Sequence, residues 1–237
     1  MTEKSFSSNS EALAQVEENY KIISENISKA MALAGRTDKV RIMAVTKTVP
    51  YEKVNYAASL GIDLLGENRV QEFLEKNEFY DKKCEIHFIG GLQNNKVKYI
   101  IDKVDMIHSV DSIKLADEIN KRAAACGRTM NVLIEVNIGR ETSKGGVLPE
   151  SLDQLAAYCR ELENVKLKGF MAIPPPNVDG SSDNLFWQME KIYRDYQSKY
   201  GCEIDTLSMG MSGDYETAVR YGANIVRIGS ALFGSRK

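Results

Sequence analysis

Residues 40–50 read Val-Arg-Ile-Met-Ala-Val-Thr-Lys-Thr-Val-Pro. The run Val40 to Thr46 is an apolar segment of strand length, and Pro50 marks the opening of a helix, where its fixed φ suits the first turn. A doubly wound dinucleotide-binding sheet would carry a glycine-rich fingerprint directly after its first strand. Lys47-Thr-Val-Pro50 stands there instead. The first strand therefore starts a parallel α/β fold of another kind.

Working outward, the same alternation fills the chain. Upstream, Leu13, Val16, Tyr20, Ile23, Ile27 and Met31 recur at helical spacing over residues 10–34. Ser8 and Glu11 take capping-box positions, and Gly35 is placed as a C′ glycine. That stripe suits a helix packed on the outside of the fold. Residues 1–9 read as a flexible polar tail.

Downstream, strands are predicted at 61–66, 85–90, 104–110, 131–137, 167–172, 204–208 and 224–228. Helices follow from Asn68, through Tyr99-Ile-Ile101, from Asp111 or Ser112 to Ala125, after Pro149, over 182–200 and over 214–221, with a stub before Lys237. Strict alternation implies a parallel sheet. Eight units at roughly thirty residues each imply one (β/α)8 barrel, a TIM barrel, in a single domain.

Composition agrees with a globular chain. The 237 residues are 43% hydrophobic and 27% charged, and no apolar run exceeds strand length, so no membrane span is expected. There is no signal-peptide layout at the N-terminus, and the chain is read as cytoplasmic. A net charge of −2 lacks the basic footprint that nucleic-acid capture requires. Four cysteines without paired spacing and two histidines far apart in the chain give no ligand set for a metal.

Barrels of this class place chemistry at the C-terminal ends of their strands. By strand alternation Met43, Val45 and Lys47 share one face. A lysine extending an apolar face is costly unless it has an anion or a task, and one task is Schiff-base formation, which needs the amine neutral. The stretches Leu207-Ser-Met-Gly-Met-Ser-Gly-Asp214 and Arg227-Ile-Gly-Ser-Ala-Leu-Phe-Gly234 follow strands seven and eight. Barrels often bind phosphate at those two loops, using glycine backbone, hydroxyls and free helix N–H groups. A lysine facing a phosphate cradle fits an aldehyde with a phosphate arm. Pyridoxal 5′-phosphate (PLP) has that form, and a sugar phosphate is the other option.

The segments MAVTKTVP, GENRVQE, HFIGGLQNNKVKYI, SVDS, VLIEVNIGRETSKGG, GFMAIPP, LSMGMSGDYETAV and VRIGSALFG together resemble the YggS/PROSC family of PLP-binding homeostasis proteins, from about residue 10 to 234. The resemblance implies a barrel like the N-terminal domain of alanine racemases. It also implies PLP held as a Schiff base on Lys47, with Asn68 beside the cofactor. Ser208 and Ser212 match phosphate ligands, Gly229 and Ser230 supply further donors, and Arg227 is expected near the pyridine nitrogen. Arg69 and Thr46 depart from the family pattern without touching these positions.

A guanidinium cannot protonate the pyridine nitrogen, so the ring would remain a poor electron sink. The resemblance thus implies a carrier, with no catalytic residue, that buffers PLP or delivers it through transient contacts with PLP-dependent apoenzymes, as a monomer. The alternative is an amino-acid racemase of the alanine racemase type. In those enzymes the opposing tyrosine comes from a further β domain, and this chain stops just after the eighth unit. A cofactor-free phosphosugar barrel is the third reading. The loop Pro174–Gly180 is expected to be a rigid surface excursion.

Overall fold

The computed structural model describes residues 3–175 and 182–234, with the side chains of 3–9 and 182 left out of the description. In chain order it contains α1 (Glu3–Leu33), β1 (Arg41–Val45), α2 (Tyr51–Ser59), β2 (Leu64–Glu67), α3 (Val70–Lys76), β3 (Glu85–Phe88), β4 (Met106–Val110) and α4 (Ile113–Ala125). There follow β5 (Met130–Val136), α5 (Leu152–Glu161), β6 (Val165–Ala172), α6 (Ser182–Tyr200), β7 (Thr206–Ser208), α7 (Tyr215–Arg220), β8 (Ile225–Ile228) and α8 (Ser230–Phe233). The eight strands pair in sequence order, all parallel, and β8 closes on β1 through Arg41–Ile225 and Met43–Arg227. This is the (β/α)8 barrel expected from the alternation.

Strand alternation divides the core. Outward residues such as Ala44, Leu65, Ile107, Val132, Phe170, Leu207 and Val226 join the helices in one large apolar layer. Two smaller groups lie apart from it, Met43, Leu64, Ile89 and Ile225 with Val45, and Met106, Leu133 and Met171 with Ile173. They are the inward faces of the same strands, filling the barrel as side-chain layers do.

α1 lies on the outside, burying Val16, Ile23, Ile27 and Ala30, and Asn19 and Asn26 reach α8 and α7 through the Leu232 carbonyl and the Tyr215 hydroxyl. Its end is a Schellman pattern, with Arg36 N–H donating to Met31 O and Gly35 N–H to Ala32 O. Its start differs from expectation. The helix is under way by Glu3, so Ser8 and Glu11 do not cap it, and residues 3–9 are helical backbone rather than a tail.

The segment before Ile100 also differs, forming a 3-10 helix, Asn94–Tyr99, in place of an α-helix. Val97 and Ile100 are buried three residues apart, which matches the tighter winding. Elsewhere the boundaries move by a few residues. Ser112, of the two candidates, caps α4, its hydroxyl accepting from Leu115 N–H at 3.4 Å. Of the loop Pro174–Gly180, residues 176–180 lie outside the described residues.

Candidate functional site

Lys47 lies two residues beyond β1, in a turn closed by Val49 N–H donating to Thr46 O at 2.9 Å. It lines a cavity of about 300 Å3 together with Val45, Lys53, Gly229, Ser230 and Phe233. The amine-bearing turn and the loop after β8 are thus brought to one place. Thr48 has φ +62°, the left-handed region that a β-branched residue adopts only when its surroundings impose it.

Two groups impose it. Below the turn, the buried Thr46 hydroxyl donates to Gly66 O at 3.1 Å and to Glu67 Oε1 at 2.7 Å. Tyr80 also donates to Glu67 Oε1, at 2.5 Å. Burial lifts the Glu67 carboxyl above its usual range, with the Thr46 and Tyr80 hydroxyls opposing it. Beside the turn, Thr48 N–H donates to Glu72 Oε1 at 2.5 Å, and Lys76 Nζ donates to Val49 O at 2.8 Å. None of these partners was singled out in the sequence.

Asn68 follows β2 two residues after Gly66, which pairs with Val45. A Cβ on Gly90 would lie 2.1 Å from Asn68 O, so only glycine lets the loops after β2 and β3 approach in this way. Among the described residues, Asn68 Oδ1 is buried without a hydrogen-bond partner, an acceptor that suits a ligand donor.

The loops after β7 and β8 meet as expected. Ser212 Oγ accepts from Gly229 N–H at 3.3 Å and Ala231 N–H at 3.1 Å, and Ser230 opens α8 facing the cavity. A single hydroxyl oxygen thus gathers two backbone N–H groups at the edge of the lysine cavity, donors of the kind a phosphate oxygen takes.

Ser208, expected as a phosphate ligand, faces Arg227. It is fully buried, and its Oγ accepts from Arg227 NH1 at 2.9 Å. Arg227 also donates to Ser208 O and, through NH2, to Ala172 O, so the guanidinium ties together the upper ends of β6, β7 and β8. Burial pushes Arg227 down to about 10, with Glu135 and Asp214 opposing. It stays charged at neutral pH. Glu135 is pushed up to about 6 by burial, then by the charge of Asp111, while Arg227 pulls it down.

A polar chain crosses the barrel interior as well. His87 Nδ1 and His108 Nε2 lie 2.9 Å apart, and His87 Nε2 is 3.4 Å from Glu85. Burial lowers both histidines, so they are neutral. The two are 21 positions apart in sequence and meet only through strand register, which no local signal reveals.

A family model described as alanine racemase, N-terminal domain, matches residues 19–237. The pyridoxal phosphate homeostasis protein of Aquifex aeolicus is 48% identical over 217 residues, covering 90% of this chain and 95% of that protein. The chain belongs to the pyridoxal phosphate homeostasis protein family. PipY of Synechococcus elongatus, solved with PLP bound, is 30% identical with a TM-score of 0.74, covering 88% of this chain and all of PipY. An alanine racemase of Clostridium difficile has the same TM-score, 0.74, at 18% identity, over 92% of this chain and 60% of the racemase. That likeness is one of fold alone.

In and beside the Lys47 cavity, sequence reasoning did not single out Lys53, Glu72 and Lys76. Lys53 lies on α2, donates to Phe233 O at 2.7 Å and shares the Lys47 cavity. Burial lowers its ammonium below the ordinary lysine range. On sequence, all three look like the solvated faces of short helices.

Proposed function

We propose that this chain binds PLP on Lys47 as a Schiff base and acts as a buffer and supplier of the cofactor rather than as a catalyst. The observation that carries the reading is the single cavity joining Lys47 to Gly229 and Ser230, next to the two N–H groups gathered by Ser212 Oγ. Asn68 Oδ1, unpartnered among the described residues, is a second sign of fit. When bound, PLP supplies an aldehyde carbon that condenses with a neutral amine and releases one water.

The chain's own residues divide the remaining work. Ser212, Gly229 and Ser230 hold the phosphate arm. Asn68 takes a donor beside the amine, and Arg227 presents a fixed cation to the ring side. Ser208 holds Arg227 in place. Because Arg227 stays protonated, it offers a hydrogen bond and transfers no proton, so charge developing on the ring is poorly relieved and carbanion chemistry is disfavoured. Attachment and release need no such relief. Delivery to apoenzymes, in the cytoplasm and from a monomer, belongs to the same proposal.

The test is spectroscopic. Protein incubated with PLP should turn yellow and lose the colour when Lys47 is replaced by alanine. A protein that stays colourless would overturn the reading. Racemase turnover at ordinary enzyme rates would overturn the carrier part of it.

A further inference from the structure

We infer that Glu72 and Lys76 of α3 are positioning residues for Lys47, an inference that rests on the reading of Lys47 as the PLP-bearing amine. Both side chains are largely buried, at 17% and 18% exposure, and they pair with each other at 2.5 Å. Together they grip the backbone on both sides of Lys47. Glu72 Oε1 accepts from Thr48 N–H, while Lys76 Nζ donates to Val49 O at 2.8 Å and Thr46 O at 3.4 Å.

The neighbouring elements do not need this grip. β1 ends at Val45, and α2 opens on Pro50 without a side-chain cap. What the pair does hold is the turn between them, including the left-handed Thr48. A strained residue next to a reactive amine persists when surrounding groups over-determine it, and its effect is to limit where that amine points. Thr46, anchored to Gly66 O and Glu67, fixes the other flank. The amine of Lys47 is thereby delivered to the cavity from a fixed base, by the helix of the next barrel unit.

The experiment separates positioning from folding by comparing two ligands. PLP reports Schiff-base formation by its visible absorbance. Pyridoxine 5′-phosphate has the same ring and phosphate but an alcohol in place of the aldehyde, so it reports the pocket without Lys47 chemistry. Glu72→Ala and Lys76→Met should each weaken PLP binding on the order of tenfold and leave pyridoxine 5′-phosphate affinity within about twofold. Glu72→Gln, which keeps an acceptor for Thr48 N–H, should recover most of the PLP binding. In a Lys47→Ala background the Glu72→Ala change should have no further effect on PLP.

Equal losses for both ligands would show a merely structural role and overturn the inference, as would variants that bind PLP like the unmodified chain. If the unmodified chain itself forms no coloured adduct, the reading of Lys47 fails first, and that result is distinct from either.

Discussion

At the residue scale the site is one lysine and the groups that hold its surroundings. Lys47, Asn68, Ser212, Arg227, Gly229 and Ser230 could be proposed from the sequence because strand alternation, glycine–serine loops and motif resemblance are local signals, and the fold brings Lys47, Gly229 and Ser230 to one cavity. The contact between Ser208 and Arg227 was not legible, since the two lie one strand apart and only register brings them together. Glu72 and Lys76 were hidden because a Glu-x-x-x-Lys pair on a helix ordinarily marks a solvated face. Lys47→Ala is expected to abolish the coloured adduct while leaving weaker, phosphate-driven binding of PLP, measurable by calorimetry. Complete loss of affinity would contradict the phosphate assignment.

Glu135 gives a prediction in pH at the same scale. Its folded value near 6 lies above the roughly 4.3 of a free glutamate. The associated stability is fully present below about pH 4.3 and is lost as pH rises through about 6. Glu135→Gln removes the titration. The variant should therefore gain up to about 2 kcal/mol relative to the unmodified chain between pH 4 and pH 8, read from denaturant unfolding at several pH values. A constant difference across that range would contradict the placement of a buried, ionising carboxyl here.

At the element scale, periodicity found every strand of the barrel, and its failures have local causes. The segment Asn94–Tyr99 wound as 3-10, with Val97 and Ile100 buried three residues apart, and the start of α1 lies in a polar segment with no apolar stripe to read. The register shift between β5 and β6 at Val132–Leu133 was not legible at all, because it depends on backbone contact. Gly169 lies beside it with φ +148°, and a Cβ there would stand 1.9 Å from Thr206 O. Gly169→Ala must move β6 away from β7, or break the approach altogether. A loss of at least about 2–3 kcal/mol is expected, as for other strained backbone positions, and unfolding midpoints measure it. An unchanged midpoint would mean that the close strand approach is not required.

At the scale of the whole molecule, closure of β8 on β1 puts Lys47 and Gly229 side by side, although 182 positions separate them in the chain. Binding across that seam should stabilise the closed barrel by mass action. PLP at a hundred times its dissociation constant is expected to add about 2.7 kcal/mol, seen as a raised Tm, with most of the gain lost in Lys47→Ala. Helix α1 packs over α7 and α8, the elements that follow the loops after β7 and β8, so those loops are supported from outside as well as from the barrel.

The central claim is that Lys47 carries the cofactor, and its cavity contains a built-in competitor in Lys53. Borohydride reduction of the PLP-loaded protein, followed by peptide mass mapping, tests it most directly. A reduced pyridoxyl-phosphate adduct is expected on the peptide holding Lys47, at that residue. An adduct on Lys53 or another lysine, or no adduct, would contradict it.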